Sequence, residues 1–370
     1  MAEANLQEPR KTEIKLIYEG ADISRDIAPY LLSFDYDDKA GGEADDLQLA
    51  LEDTEGNWRD PWYPEKGDRI EASIVTHNWS GPDESQSLFC GSFEIDEVEI
   101  AEPPMTVSVK AVSAPRSTSL RDQAKTKGWE DYTLSRIAQE IAGNGGLSLE
   151  YLTSKDPQYD RTDQIAVPDL KYLLGLCTDA ALALKVTDEK IVVYDEEEYE
   201  GKPPVTTLKR GDMRIKGMNI KTKMAGTFKA AKVKYSDSAE DVTHISLVED
   251  DSAPDNGQTM ETNQRVKSEG EAEALAKGRL HQANKKEVTG SFTLAGDLGL
   301  VGGVTVAVEG YGKFDGDYFV ESAKHSYGDS GYTTTVSVRE GGPSKKKKKG
   351  RKGKKGKKST APVQHDSLLN

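Results

Sequence analysis

Hydrophobic and polar residues alternate with a period of two along much of the first third of the chain. The pattern runs through the segments TEIKLIYEG, DDLQLALED, DRIEASIVTHNW, GSFEIDEVEI and MTVSVKAVS. Residues that favour turns separate them, in KAGGEAD, EKGD, SGPDES and AEPP. Such alternation is typical of strands that bury one face. Residues 1–114 are therefore predicted to form a small β-barrel or sandwich.

The hydrophobic period changes after Pro115. In DYTLSRIAQEIAGNGG, apolar residues recur at helical spacing, with Thr133 as a plausible N-cap and glycines 143–146 as the end of the helix. A second helix is predicted from Pro168 onwards, in VPDLKYLLGLCTDAALAL, and KIVVYDE reads as a short strand. Residues 115–205 are therefore predicted to form a small α/β module.

Strand patterns return from residue 206 and continue to residue 340. They are interrupted by an acidic connector, SLVEDDSAPDNGQT, which is expected on the surface, and by one helix predicted over 268–286. Ser268 and Glu271 have the spacing of a capping box at the start of that helix. The predicted fold class is α+β, mainly β, with two small β-barrel modules flanking the α/β module. Two β-modules of similar size suggest a duplication, although no sequence repeat is evident.

The charge of the chain is divided unevenly. The formal net charge is −15, yet the segment 344–370 carries eleven of the 49 basic residues and one of the 64 acidic ones. Residues 1–343 therefore carry 38 positive and 63 negative charges, a net charge of −25. Residues 341–370, the lysine-rich segment, lack apolar periodicity and are predicted to be a disordered basic tail. Its candidate partner-binding residues are Lys345, Lys346, Lys347, Lys348, Lys349, Arg351, Lys352, Lys354, Lys355, Lys357 and Lys358.

No constellation of catalytic, cofactor-binding or metal-ligating residues stands out. GDSGY at residues 328–332 resembles the nucleophile loop of trypsin-like proteases over five residues only, and a hairpin turn is the preferred interpretation. The five histidines lack metal-ligand spacing, and His325 is predicted to be a packed strand residue. DYTLSRIAQEIAGNGG resembles the opening of a peptidoglycan-binding LysM unit, but a helix that buries its apolar face explains the same residues. No enzymatic activity is predicted.

The chain shows no sign of export or of membrane insertion. Its first residues, MAEANLQEPRKTE, contain no apolar signal region, and no run approaches the ~18–20 apolar residues that span a bilayer. Cys90 and Cys177 lack metal-ligand spacing and are expected to be reduced, half-buried thiols. Synthesis and assembly in a reducing bacterial cytoplasm, without stable membrane insertion, are expected.

Two long stretches carry a resemblance to a known family. The first contains a G-x-F-x-I-D strand, then PP, A-x-S-A and a W-x-x-x-T-L-x-x-I-A helix. The second contains an A-x-A-L helix, GSFTLAG, a G-x-Y-x-V-x-x-x-x-H strand and a final GYTT. Both resemble the phage late control protein D family, the baseplate hub of contractile phage tails, phage-tail bacteriocins and related injection systems. The resemblance covers about residues 12–340 and excludes the lysine-rich segment.

The resemblance implies a structural protein without cofactors. Family hubs are trimers in which two tail-tube-like barrels per chain form a pseudo-six-fold ring, which joins a three-fold spike to the six-fold tail tube. The implied partners are two further copies of the chain, a spike protein, a tail tube protein and other baseplate proteins, and DNA could pass through an acidic lumen. The location implied is the baseplate of a phage or phage-tail-like particle. A tail-associated protein that binds or hydrolyses peptidoglycan is the alternative.

The lysine-rich segment should bind an anionic target. An acidic protein within the particle is favoured, such as the tape-measure protein, and the other options are the acidic hub wall, DNA or a membrane surface. A solvated segment that only promotes solubility is the alternative.

Overall fold

One large, mostly antiparallel sheet contains strands from both β-modules. The computed structural model describes residues 9–79, 81–113, 118–223, 227–237, 242–250, 257–263, 266 and 269–341. Thirteen strands form this sheet, and three smaller sheets have two, three and three strands. The mainly β class predicted from the alternating pattern is confirmed, but in the described residues neither β-module closes into a barrel by strand pairing.

The first β-module comprises seven strands of the large sheet and a short helix. The strands are β1 Lys11–Tyr18, β2 Ala21–Asp22, β3 Leu31–Lys39, β4 Asp46–Glu52, β5 Arg69–His77, β6 Ser85–Ala101 and β7 Thr106–Val112, and the helix is α1 Ser24–Ile27. Alternate residues of the strands, such as Leu47, Leu49 and Leu51, are buried in one hydrophobic core. Strand β3 was not recognised from the sequence.

The middle module packs helices against two small sheets. Its elements are α2 Thr118–Arg121, β8 Lys125–Thr133, α3 Leu134–Asn144, β9 Ser148–Leu152, β10 Gln158–Val167, α4 Asp169–Asp179, β11 Ala183–Val186, β12 Lys190–Tyr194 and α5 Glu196–Glu200. Thr133 caps α3 by accepting a hydrogen bond from the Arg136 amide, and Pro168 precedes α4, as predicted. The apolar face of α3 is buried, which accounts for the LysM-like residues.

The second β-module contributes the other six strands of the large sheet. They are β13 Thr206–Lys209, β14 Ile215–Thr222, β18 Val288–Ala295, β19 Thr305–Glu309, β20 Gly316–Gly328 and β21 Gly331–Glu340. The GDSGY residues form the tight turn between β20 and β21, where Gly328 pairs with Gly331. The hairpin interpretation is therefore confirmed.

Residues 228–284 form a separate unit inserted between β14 and β18. Its elements are β15 Phe228–Asp237, β16 Val242–Glu249, β17 Gln258–Thr262 and α6 Glu269–Asn284. The three strands make their own sheet, and α6 packs on it around a core distinct from that of the second β-module. The sequence assigned all of 206–340 to one β-module, and SLVE of the expected connector lies in β16. The predicted capping box at Ser268 and Glu271 lies outside the residues whose side chains the structure describes.

Strand β3 joins the two β-modules by pairing with half of β20. The first half of β20 pairs with β19, whereas Ser322–Tyr327 on the same edge pair with Lys39–Phe34 of β3. At the centre of this junction, His325 lies opposite Tyr36, and the two rings stack with centroids 5.9 Å apart. The junction thus turns two sheets into one.

His325 is fully buried at the junction, as expected for a packed strand residue. Its Nε2 lies 3.0 Å from the Leu300 carbonyl oxygen, and its Nδ1 lies 2.7 Å from the Tyr332 hydroxyl. Because a carbonyl only accepts, Nε2 carries the proton and Nδ1 accepts from Tyr332. Burial lowers the pKa of His325 to about 4, so the ring is neutral at pH 7.

A half-buried lysine connects the middle module to the end of β3. The Lys185 Nζ donates to Asp38 Oδ1 at 2.6 Å and lies 3.2 Å from Asp45 Oδ2. The other Asp38 oxygen accepts from the Gly302 amide at 2.9 Å. A side chain at Gly302 would place its Cβ 2.6 Å from the Ala40 amide nitrogen, so only glycine permits this approach. The carboxylate of Asp38 thus accepts hydrogen bonds from the middle module and from the second β-module.

A second buried network surrounds Arg339 on β21. Its guanidinium lies 2.5 Å from Glu200, 3.4 Å from Glu196 and 3.4 Å from Glu321. On α6, the His281 Nε2 lies 3.3 Å from Glu200. Burial alone would raise the pKa of Glu200, but the hydrogen bond from His281 and the charge of Arg339 lower it to about 2. The network therefore links the middle module, the inserted unit and the second β-module.

Both cysteines are free thiols and are fully buried rather than half-buried. Among the described residues, no helix combines the length and the apolar character needed to cross a membrane.

Replacing Glu200 with Gln is expected to lower the free energy of unfolding by about 3 kcal/mol at pH 7, because Arg339 loses a buried counter-charge. The folded-state pKa of Glu200 is depressed, so its contribution exists above the unfolded pKa of about 4.5 and disappears as the pH falls towards 2. Chemical denaturation at pH 7 and pH 3 measures both effects. Glu197→Gln, on the same helix but with a more exposed carboxylate, is the control and should cost less than about 1 kcal/mol. Equal losses for both variants would contradict the prediction.

Burial of His325 leads to a second prediction, which concerns how stability depends on pH in a higher pH range than for Glu200. Because folding lowers its pKa from 6.5 to about 4, the unfolded chain binds a proton first, and stability falls as the pH drops from about 6.5 to 4. The expected loss is about 3 kcal/mol, at about 1.4 kcal/mol per pH unit. His325→Gln keeps a donor and an acceptor and should flatten this part of the profile. Urea denaturation of both proteins between pH 7.5 and 4 tests this, and identical slopes would refute it.

Candidate assembly interface

The two β-modules repeat the same strand order. In the first, the order is β3-β4-β7-β6-β5-β1, and in the second it is β14-β18-β21-β20-β19-β13. Strands that correspond in chain order also occupy corresponding positions in the sheet: β1, β3, β4, β5, β6 and β7 match β13, β14, β18, β19, β20 and β21, respectively. One difference is that β1 pairs antiparallel with β5, whereas β13 pairs parallel with β19. The structure therefore reveals the duplication that the sequence only suggested.

The strand registers repeat as well, including their irregularities. A bulge lies between Ile95 and Glu97 of β6, and another between Val320 and Ser322 of β20. The register of β3 against β4 shifts after Leu31, and that of β14 against β18 shifts after Ile215. Irregularities of this kind rarely coincide unless two segments share one architecture. Each residue of β6 and β3 can therefore be matched to one residue of β20 and β14.

The loops that precede β5 and β19 match too, where each contacts the bulged strand. The Gly67 amide donates to the Ile95 carbonyl at 2.8 Å, and the Gly303 amide donates to the Val320 carbonyl at 2.9 Å. The two glycines have φ values of 91° and 90°, a conformation that favours glycine. In sequence, the short motifs GSFEID and GDYFVE mark the corresponding strands. These six-residue motifs were the one signal of the repeat available from sequence.

One contact of the second β-module has no counterpart within the chain. In the second module, Ser322–Tyr327 of β20 pair with β3. The corresponding edge of β6, residues 97–102, has no strand partner among the described residues. Likewise β14, the counterpart of β3, pairs with β18 on one side, and no described strand pairs with its other side. The chain thus contains both halves of a second junction and leaves them apart.

The two open edges have complementary side chains at matching positions. By the repeat, Ile100 corresponds to His325 and Ile220 to Tyr36, the pair at the centre of the existing junction. Ile100 is 46% exposed, and Met218, the counterpart of Phe34, is 39% exposed. At the adjacent position, Glu99 corresponds to Lys324 and Lys221 corresponds to Asp37. Glu99 would therefore face Lys221, as Lys324 faces Asp37 in the existing junction. Apolar and opposite-charge cross-strand pairs both stabilise a sheet.

Three acidic residues on the polar face of the large sheet are paired with lysines. Lys39 donates to Asp46 at 2.6 Å, Lys110 to Glu97 at 3.0 Å, and Lys324 lies 3.2 Å from Asp35. This pairing offsets part of the negative charge of the body along this face.

One group of side chains has the spacing of a metal site. Glu196, Glu200 and His281 offer ligand atoms within 4.8 Å of one another. However, Arg339 and Lys285 already neutralise these carboxylates, since the Lys285 Nζ lies 2.9 Å from Glu196. The charges are therefore those of an ion-pair network, not of a cation site. The candidate residues Lys345–Lys358 lie outside the described part of the chain.

Comparison with known proteins identifies the family. A model of the phage tail baseplate hub (GPD) family matches residues 67–331. The probable baseplate hub protein of Escherichia phage 186 is 27% identical over 202 residues, 53% of this chain and 49% of that protein. Its counterpart from Escherichia phage P2 is 30% identical over 166 residues, 44% of this chain and 39% of that protein. The matches thus span half or less of these curated relatives.

Solved structures share the fold at low sequence identity. The 43 kDa tail protein of prophage MuSo2 from Shewanella oneidensis gives a TM-score of 0.67 at 14% identity, over 89% of this chain and 98% of that one. A tail protein from Neisseria meningitidis MC58 gives 0.66 at 15% identity, over 89% and 96%. A type VI secretion component of E. coli gives 0.50 at 13% identity, over 84% and 73%. With its family match over 265 residues, the chain belongs to the phage tail baseplate hub (GPD) family.

Proposed function

We propose that this chain is a baseplate hub subunit that forms a closed trimeric ring and joins a three-fold spike to a six-fold tail tube. The observation that carries the proposal is the second, unmade junction: β14 and the 97–102 edge of β6 are the counterparts of strands that pair within the chain. In the ring, β14 of one protomer pairs with β6 of the next. Hub function in a tail baseplate accords with the family and its relatives.

The geometry of such a contact favours a closed ring. The β14 edge and the β6 edge differ from each other, so the interface is heterologous and must either close or grow into a filament. If it copies the junction within the chain, all contacts between modules are alike, and three chains supply six equivalent modules. Six modules match a six-fold tube, while three chains match a three-fold spike. Main-chain pairing supplies much of the contact.

The repeat also supports a specific register for the proposed pairing of β14 with β6 of the next protomer. The pairing of His325 with Tyr36 becomes the pairing of Ile100 with the neighbour's Ile220, and Glu99 faces the neighbour's Lys221. Ile100 is exposed and Ile220 is half-buried. Two open strand edges are an aggregation hazard for a monomer, and their mutual burial in the ring removes it. The work of the protein is then mechanical: it adapts symmetry and holds partners, with no chemical turnover.

Disulfide trapping tests the contact. A chain with Ile100→Cys and Ile220→Cys should form, on mild oxidation, covalent species up to three chains, because paired strand residues lie within the Cα separation of about 4.4–6.8 Å that disulfides span. The native Cys90 and Cys177 are buried and should not interfere. The control carries Ile100→Cys with Lys221→Cys, which would place the thiols on opposite faces of the sheet. Gel electrophoresis without reductant gives the result.

Native mass measurement distinguishes formation of the trimeric ring from the specific pairing of β14 with β6. A mass of three times 40.5 kDa is expected for the unmodified chain. A trimer that fails to cross-link at Ile100 and Ile220 would refute the strand pairing and leave the ring standing. A monomer at all concentrations, without spike or tube present, would refute self-assembly of the ring.

A further inference from the structure

An apolar cavity opens in the first β-module. Its volume is 360 Å³, within the range of about 300–1,000 Å³ that is usual for ligand pockets. Buried Leu49, Leu51 and Ile95 form its floor, and Trp62 and Tyr63 lie at its mouth, 45% and 36% exposed. The cavity is thus accessible from solvent and lined by side chains that favour an apolar occupant.

One polar atom in the cavity wall lacks a partner. Trp58 lines the cavity and is 9% exposed, and its indole Nε1 is buried with no hydrogen-bond acceptor among the described residues. A buried, unpaired donor is costly, and the main-chain carbonyl of a docked segment would satisfy it. Tyr30, Trp58 and Trp62 contact one another edge to face, which makes this wall an aromatic cluster.

The repeat shows that the fold does not require an apolar cavity here. Phe292 occupies the position in the second module that Leu49 occupies in the first, and it is fully buried. Leu300, on the loop that follows, is also fully buried in that core. The second module thus has a larger, fully buried side chain where the first module has Leu49 in the cavity wall.

The segments around the mouth are acidic. Residues 19–26 carry three acids and one arginine, and residues 52–68 carry six acids against one arginine and one lysine. Most of these acids are exposed, including Asp26, Glu55, Asp60 and Glu65. The one arginine of the second segment, Arg59, is already paired with buried Asp53. The mouth thus combines an apolar opening with a surplus of negative charge.

The lysine-rich segment of the same chain has the complementary composition. Eleven basic residues precede Leu368 and Leu369, an adjacent apolar pair. We propose that Leu368 and Leu369 insert into the cavity while the lysines lie across its acidic rim. The proposal rests on the cavity and the charges and does not depend on ring formation.

The distances permit this contact. Strand β21 ends at Glu340, which pairs with Tyr318, and the cavity lies beyond the Leu31 end of β3. The path from Glu340 to the cavity runs along twelve strand residues and across three neighbouring strands. These dimensions give a separation of about 45 Å. Residues 342–367 can extend over about 85 Å. The segment therefore reaches the cavity of its own chain with slack.

A contact-quenching experiment on the full chain tests the proposal. Ser367→Cys is labelled with a small fluorophore that tryptophan quenches on contact, since the native cysteines are buried. Quenching at least twofold is expected, and Leu368→Ser with Leu369→Ser should abolish it while leaving all eleven charges and Trp62 in place. Trp62→Ala should also restore emission, whereas Phe89→Ala, at an exposed aromatic that does not line the cavity, should not. Raising the salt concentration from 0.05 to 0.5 M should weaken quenching.

Two results would overturn the proposal. Emission that is the same with and without the two leucines would show that they do not dock. Quenching of a labelled Trp62→Ala chain only after assembly with wild-type chains would place the leucines in the cavity of a neighbouring protomer.

Discussion

The pairing of β3 with the second half of β20 is the contact on which the rest of the architecture depends. It joins a seven-stranded and a six-stranded sheet that would otherwise be separate modules, and it buries the stacked rings of Tyr36 and His325 at its centre. Because His325 is bonded on both nitrogens and is neutral, its ring leaves no unpaired polar atom at the centre of the junction. Other contacts between modules include ion pairs, such as Lys185 with Asp38 and Arg339 with Glu200, which depend more strongly on pH and salt.

The same junction suggests the contact through which we propose that the chain assembles. A protein with one pair of repeated modules makes one junction internally and is left with the two unmatched edges. Lys216 and Lys221 on β14, and Glu97 and Glu99 on β6, limit indiscriminate pairing of these edges with copies of themselves. Since the charges are opposite, they still permit pairing of one edge with the other. Specificity and solubility therefore come from the same side chains.

The sequence predicts the strands and helices with strong periodicity and misses those shaped by tertiary contacts. Strand β3 reads SFDYDDK, and its buried Asp38 breaks the apolar alternation because Lys185 and Gly302 satisfy the carboxylate from elsewhere in the chain. The duplication is nearly invisible in sequence, since it survives in registers and bulges while side chains such as Leu49 and Phe292 differ. The open edges could not be predicted, because only strand order shows which edges lack partners.

The middle module contacts the corresponding connecting segment of each β-module, which lies between β3 and β4 in the first and between β14 and β18 in the second. In the first β-module, the turn between β3 and β4 contacts it through Asp45 and Ala40, whose carbonyl accepts from the Tyr194 hydroxyl at 2.7 Å. In the second, the corresponding connection between β14 and β18 has become the inserted unit, and Arg279 of α6 lies 2.6 Å from Asp179. Elaborating this connection leaves β14 and β6 uncovered. The chain could thus gain a 57-residue insertion without obstructing the edges through which we propose that it assembles.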